Sequence, residues 1–400
     1  MTVVSAPASP GVTAAAGFRA AGITAGLKAS GRPDLALVVN DGPRRNVAAV
    51  FTTNRVAGEP VKWSRAAAAD GRIAAVILNS GGANVCTGPE GLADVEATAE
   101  KVGSVLDVAP GDVLVASTGL IGERLPIAKL LAGVDVAAAA LTADGGPDAA
   151  TAIMTTDTVA KTAHVTVHSS HGTFTVGGMA KGAGMLAPAL ATMLVVLTTD
   201  VDVDPGGLRS ALTAATAKTF DRIDSDGCMS TSDTVAILAS GASGVLPDYV
   251  EFADAVAAVC ASLARQLIGD AEGASHDIAI SVVNASSEAA ALAVAKAVAR
   301  GNLFKAAVFG NDPNWGRVLA QVGTVPADVA PYDPDALDVT INGVMVCKAG
   351  GAHEDRSLVT LAGQRDVEVQ IDLHAGTASA TVWTNDLTHD YVHENSAYST

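Results

Sequence analysis

Cysteine, aromatic residues and charge are all scarce in this chain of 400 residues, and each shortage excludes a class of protein. The four cysteines, Cys86, Cys228, Cys260 and Cys347, stand far apart with no C-x-x-C pair. That pattern argues against a disulfide framework and a zinc site, and it fits a reducing cytoplasm. Charged residues make up 17% and apolar residues 49%, which excludes a disordered chain. With aromatics at only 4%, the apolar fraction leans on Ala and Val. The positive mean hydropathy therefore reflects small residues and not membrane spans. Long apolar runs are lacking too. Met185 to Leu197 is the most apolar window, and Pro188 and Thr192 interrupt it well short of a bilayer's thickness. No basic residue falls between Met1 and Phe18, so the positive start of a secretory signal is missing.

Positive charge is the next shortage. A net charge of −17 argues against nucleic acid or an anionic membrane as partner. The excess is uneven. Residues 1–191 hold 14 Lys and Arg against 15 Asp and Glu, whereas residues 192–400 hold 11 against 27. An acidic half would attract a cationic amino acid, although ordinary solubility explains it more simply.

What is present reads as layered α/β or α+β. Leu35–Asn40, Ala74–Asn79, Asp112–Ser117, Ile278–Val283, Val339–Ile341 and Thr377–Trp383 read as buried strands. Gly91–Leu106, Arg209–Phe220, Tyr249–Gly269 and Ser287–Arg300 carry apolar residues every three or four positions and read as helices. Gly and Pro fall throughout, so no linker marks a boundary. The echo between Met154–Thr158 (MTTDT) and Met229–Thr234 (MSTSDT) is too short to read as a repeat.

The most informative stretch is Met179 to Asp200. Gly182 and Gly184 allow close backbone approach beside Lys181, Pro188 stiffens the chain, and Met193 to Leu197 reads as a buried strand. A lone Thr heading such a strand is ordinarily a β-former. Thr192 has a second reading as a latent N-terminal nucleophile. Attack of its hydroxyl on the Ala191 carbonyl, then hydrolysis, would free its α-amine. An α-amine with a pKa near 7.7–8.0 can act as general base to the hydroxyl on the same residue.

Lys181 to Leu194, KGAGMLAPALATML, closely resembles the processing signature of the glutamate N-acetyltransferase (ornithine acetyltransferase) family of arginine biosynthesis. Members of that family cut themselves between Ala and Thr. The segments Asn79–Gly88, Ser117–Gly122, Ile153–Thr158, Asp270–Gly273, Gly310–Arg317 and Asp386–Thr400 also resemble family blocks, in the same order. Gly82 departs from the family's usual Asn, Glu394 from an apolar residue, and Phe220–Thr234 follows the pattern only loosely.

The resemblance implies an autoproteolytic acyltransferase that moves acetyl from N-acetylornithine to glutamate through Thr192. Thr118 and Gly119 would form the oxyanion hole, and Ala191–Thr192 would be the cleavage site. Thr158, Lys181, Thr192, Glu272, Asn395 and Thr400 would contact substrate. Lys181 suits an α-carboxylate and Glu272 a distal ammonium. The implied fold is N-terminal-nucleophile-like, with two intimately packed domains. A catalytic domain over 1–240 would hold the cut, and a smaller domain over 241–400 would complete the pocket. Fragments 1–191 and 192–400 would pair, and two pairs would form a heterotetramer in the cytoplasm. No metal or organic cofactor is implied, and acetyl-CoA stays open as a second donor. The alternative is a self-processing amidohydrolase or aminopeptidase of related architecture. His389 and His393 are spaced i, i+4 but lack a third ligand. The glycines from Gly177 to Gly184 lack the G-K-[ST] of a phosphate loop.

Overall fold

The computed structural model describes residues 2–186 and 193–397. Four layers, helix on sheet on sheet on helix, make up most of the chain. One central sheet has six strands, in the order Val3–Ser5, Lys161–Ser169, Gly172–Lys181, Leu194–Thr199, Thr234–Ala239 and Asn46–Phe51. All neighbours run antiparallel except Leu194–Thr199 and Thr234–Ala239, which are parallel. The second sheet has four strands, in the order Phe18–Ile23, Leu35–Asn40, Ala75–Asn79 and Val113–Ser117.

The two sheets face each other. Met179, Leu194, Val196, Ala236 and Leu238 meet Ala20, Ala36, Val38, Val76, Leu78 and Leu114 in one core. The outer face of the six-stranded sheet, including Val195, Leu197, Val235 and Ile237, packs on Pro205–Lys218 and Tyr249–Gly269. On the other outer face, Leu35, Leu37, Ile77, Val113 and Val115 pack on Gly88–Leu106 and Ile127–Ala139. A strand covered on both faces has no polar side to show. Within Leu194–Thr199 and Thr234–Ala239, residues 194–197 and 235–239 accordingly read as unbroken apolar runs without alternation.

A third sheet lies beyond Asp277, in the order Gly351–Ala352, Val344–Lys348, Asp338–Ile341, Asp366–Asp372, Asp277–Ala285 and Ala378–Asn385. It has its own core with Glu288–Ala299 and Trp315–Val322. Residue 241 falls before Tyr249–Gly269, and that helix packs in the core of the six-stranded sheet. Although it is apolar enough to span a membrane, Phe252, Val256, Leu263 and Leu267 are fully buried in that core.

The strands read from sequence occur within two residues of their expected bounds. Leu35–Asn40 and Tyr249–Gly269 match at both ends. The helix expected over Arg209–Phe220 instead runs Pro205–Lys218, because Asp204 caps it by accepting Gly207 N–H. Lys161–Ser169 and Gly172–Lys181 carried too many His, Thr and Gly residues to read as apolar strands, yet they form the sheet's longest hairpin.

The central core sets the main stability prediction. Phe252 is fully buried, with its ring centroid 6.5 Å from that of Phe174. Phe252→Ala should cost about 3–5 kcal/mol in urea unfolding at unchanged m, whereas exposed Val250→Ala should shift stability by about 0.5 kcal/mol or less.

Candidate active site

A cleft opens at one end of the two stacked sheets. There the strands Val113–Ser117 and Gly172–Lys181 finish and Leu194–Thr199 and Thr234–Ala239 begin. Among its lining residues are Thr118, Gly119, Thr155, Lys181, Glu272 and Asn395. Ala191, Thr192 and Thr400 lie outside the described residues.

The Thr118–Gly119 turn is locked to the loop after Ala75–Asn79. Thr118 N–H donates to Asn79 O at 3.0 Å and Gly82 N–H to Thr118 O at 3.1 Å. Asn79 adds its side chain, donating to Gly82 O at 3.0 Å and accepting Ser117 Oγ–H at 2.6 Å. Gly119 has φ +128°, and a Cβ there would stand 2.8 Å from Gly82 N. Only glycine fits both the angle and the space.

Lys181 ends its strand almost wholly buried, with Nζ 2.7 Å from Thr155 Oγ1 and 3.4 Å from Thr118 Oγ1. Among the described residues its nearest carboxylate oxygen, Asp157 Oδ2, is 3.8 Å away. Asp157 is buried and accepts Lys161 Nζ–H and Gly182 N–H on Oδ1, each at 2.7 Å. Lys161 bridges on to Asp270 Oδ2 at 2.5 Å. Burial pushes the Asp157 carboxyl up, but the Lys181 and Lys161 ammoniums outweigh it and hold the group well below the usual carboxylate range. Burial likewise pushes the Lys181 ammonium down, with Asp157 opposing. Behind this cluster Lys28 Nζ donates to Met154 O at 2.6 Å, and its own burial lowers its pKa to about 8.

On the cleft's other side, Glu272 sits just beyond Tyr249–Gly269. Gly184 makes room for it, since a Cβ there would come 2.6 Å from Glu272 Oε1. Asn395 reaches Glu272 from the helix His389–Ala397, donating to Oε2 at 3.0 Å. That helix docks because Thr388 Oγ1 donates to Gly273 O at 2.6 Å. Thr158 stands apart. Its hydroxyl and backbone N–H both bind Asp270, and it lines a neighbouring cavity that shares Glu272. Thr118, Gly119, Lys181, Glu272 and Asn395 thus share one cleft, and Thr158 reaches it only through Asp270 and Lys161. Among the described residues no group of His, Cys, Asp and Glu is arranged to hold a metal.

Asp157, Lys161, Asp270 and Thr155 were not singled out from the sequence. Thr155 and Asp157 fall in the family block Ile153–Thr158 and Asp270 in Asp270–Gly273, and a second signal was the MTTDT and MSTSDT echo. Thr155 and Thr156 from the first and Ser230, Thr231 and Ser232 from the second line the cleft, and each segment carries a buried aspartate.

The sequence profile of the ArgJ family matches residues 19–400. This chain belongs to that family. The Arginine biosynthesis bifunctional protein ArgJ of Streptomyces coelicolor is 61% identical over 388 residues, covering 97% of this chain and 99% of that protein. The ArgJ of Thermobifida fusca is 57% identical over 389 residues, covering 97% and 100%. Among solved structures, ornithine acetyltransferase from Mycobacterium tuberculosis, complexed with ornithine, is 52% identical. That match covers 48% of this chain and all of the solved chain, with a TM-score of 0.44. The family resemblance carried by Lys181–Leu194 and the blocks around it is borne out.

The buried charges yield a direct test. Lys161→Met would strand two carboxylates against one remaining cation, and breaking such a buried pair costs about 3–5 kcal/mol. The loss should appear in urea unfolding at pH 7. Asp157 works the other way with acid: its folded pKa is depressed, so its stabilisation is complete above its ordinary pKa near 3.9. In the wild type that contribution disappears only as pH falls below this value.

Proposed function

We propose that this ArgJ-family chain is a self-processing acyltransferase of arginine biosynthesis, moving acetyl from N-acetylornithine to glutamate through an acetyl-Thr192 intermediate. One observation carries the reading. A buried cation, Lys181, and a carboxylate, Glu272, line one cleft with the Thr118–Gly119 turn between the sheets. N-acetylornithine has a matching pattern: an α-carboxylate, a distal ammonium and a neutral amide between them.

Processing comes first in the scheme. Thr192 attacks the Ala191 carbonyl, hydrolysis of the ester frees the α-amine, and that amine becomes the base for its own hydroxyl. In turnover the hydroxyl attacks the acetyl carbonyl while Thr118 and Gly119 donate to the oxyanion. A donor of that kind is worth about 2.7–4 kcal/mol. Ornithine departs with the proton held by the amine, and glutamate then takes the acetyl group in the same pocket. The names of the curated relatives and the ornithine-bound homologue support arginine biosynthesis and this substrate class. Asn395 and Thr400 complete the proposed substrate contacts in the cleft, and Thr158 would add its contact from the neighbouring cavity that shares Glu272. Acetyl-CoA as a second donor, cytoplasmic residence and a heterotetramer of two cleaved pairs belong to the same reading.

Mass spectrometry of the purified protein tests it. Fragments of 191 and 209 residues should stay together without a disulfide, and Thr192→Ala should leave one uncut, inactive chain. Adding glutamate to wild type and N-acetylornithine should give N-acetylglutamate. Release of acetate instead would establish the hydrolase alternative, and an active but uncut wild type would eliminate the N-terminal nucleophile.

Glu272 offers a second test. A charge-assisted hydrogen bond is worth about 1.5–3 kcal/mol, so Glu272→Gln should lower kcat/KM for N-acetylornithine about ten- to a hundredfold. Self-cleavage should survive, and a donor lacking the distal ammonium should be far less affected. Equal losses for both donors would show that Glu272 acts on the chemistry or the fold.

A further inference from the structure

Two aspartates of one segment grip the backbone on either side of residues 187–192. On the near side, Asp226 Oδ2 accepts Leu186 N–H at 3.2 Å, and Ser225 N–H donates to Leu186 O. On the far side, Asp233 Oδ1 accepts Met193 N–H at 2.9 Å, and Thr234 N–H donates to Met193 O at 3.2 Å. Each flanking residue is therefore held by both its N–H and its carbonyl.

The gripping segment is itself fixed from two directions. Thr52 Oγ1 donates to Ser230 O at 2.6 Å, Asn54 Nδ2 to Met229 O at 2.9 Å, and Gly58 N–H to Thr231 O at 2.9 Å. From the third sheet's side, Arg300 Nε binds Asp224 at 2.7 Å and Lys305 Nζ donates to Ser225 O. Asp233 is fully buried, and among the described residues its Oδ2 has no hydrogen-bond partner.

We infer that Asp233 is a positioning residue for self-cleavage, accepting Met193 N–H from a fixed frame and so setting Thr192 against the Ala191 carbonyl. This rests on the self-processing reading above. In the step it serves, the Thr192 Oγ–Ala191 C bond forms as the Thr192 N–Ala191 C bond breaks. The hydroxyl proton goes to the departing nitrogen. Water then splits the ester into an Ala191 carboxyl and a Thr192 hydroxyl. Asp233 gains and loses no proton. Burial pushes its carboxyl well above the ordinary range, while Met193 N–H, Ser230 and Lys181 pull it down and Asp221 adds to the rise. Asparagine keeps a carbonyl oxygen where Asp233 Oδ1 accepts Met193 N–H.

The test follows conversion of newly made 400-residue chain into its two fragments by intact mass. Asp233→Asn should cut within about threefold of wild type. Asp233→Leu fills similar space without an acceptor and should cut about tenfold slower or more, the scale of a lost buried hydrogen bond. A stabilising osmolyte should raise the midpoint of Asp233→Leu without restoring cleavage, which separates positioning from mere folding. If Asp233→Leu fails to fold, Asp233→Asn decides alone. Cutting by Asp233→Asn as slow as by Asp233→Leu, or far below wild type, would overturn the inference, because the acid would then be carrying a proton. Wild-type speed in Asp233→Leu would overturn it as well. An uncut wild type would instead remove the self-processing reading itself.

Discussion

Burying the Lys161 ammonium completely is costly unless it is paired, and this chain brings two carboxylates within hydrogen-bond reach. Asp157 and Asp270 come from opposite sides of the cleft, so Lys161 ties the loop after Gly146–Ala152 to the end of Tyr249–Gly269. The cleft inherits its geometry from that bridge. Asp157 also reaches toward Lys181 and accepts Gly182 N–H, which fixes the last residue of its strand and the one after it. Asp270 holds Thr158 and stands two residues before Glu272. Removing the bridge would leave the two charged ends of the cleft without a common reference.

The same electrostatics bear on how one pocket would serve two substrates. A carboxylate at the position of Glu272 favours the distal ammonium of ornithine and disfavours the side-chain carboxylate of glutamate. Under the proposed two-step scheme these demands fall in different halves of the cycle. Donor recognition would use Glu272, whereas the acceptor shares only its α-amino and α-carboxylate groups with the donor. Lys181 would serve both halves, and it is the more deeply buried of the two charges. In that scheme the shared group would meet the buried end of the cleft at Lys181, and the distinguishing group the end that Asn395 of His389–Ala397 reaches.

Legibility followed covering. Leu35–Asn40 and Ala75–Asn79 lie between two apolar layers, so their burial is written as runs of Leu, Val, Ile and Ala. The hairpin Lys161–Gly172–Lys181 begins and ends with the site's lysines and carries His164 and His168 along one strand, so composition hid it. The site divided in the same way. Thr118, Gly119, Lys181, Glu272 and Asn395 were reachable through family resemblance, and the structure gathers them in one cleft. Asp157 and Asp270 fall within blocks that resemble the family, but nothing in the sequence singled them out, and Lys161 and Asp233 lie outside those blocks. Their roles depend on pairings, some across long stretches of sequence, such as the 2.5 Å contact of Lys161 with Asp270, which no local pattern encodes. Phe220–Thr234 looked like a loose fit to the family, yet it contributes Ser230, Thr231 and Ser232 to the cleft and holds Leu186 and Met193 in place.

The sheet order also bears on whether a cut between Ala191 and Thr192 could be tolerated. Four strands of the six-stranded sheet precede that bond and two follow it. The two that follow, Leu194–Thr199 and Thr234–Ala239, are not at an edge. They lie between Gly172–Lys181 on one side and Asn46–Phe51 on the other, so both outer ladders join residues from opposite sides of the bond. Leu194–Thr199 pairs with Gly172–Lys181 from Val176↔Thr199 to Lys181↔Leu194, and Thr234–Ala239 pairs with Asn46–Phe51 along its whole length. Their side chains fill both the core between the sheets and the core under Tyr249–Gly269. Separating the pieces would expose both cores and break both ladders at once. Breaking one peptide bond removes none of those contacts, so association needs neither a disulfide nor a linker.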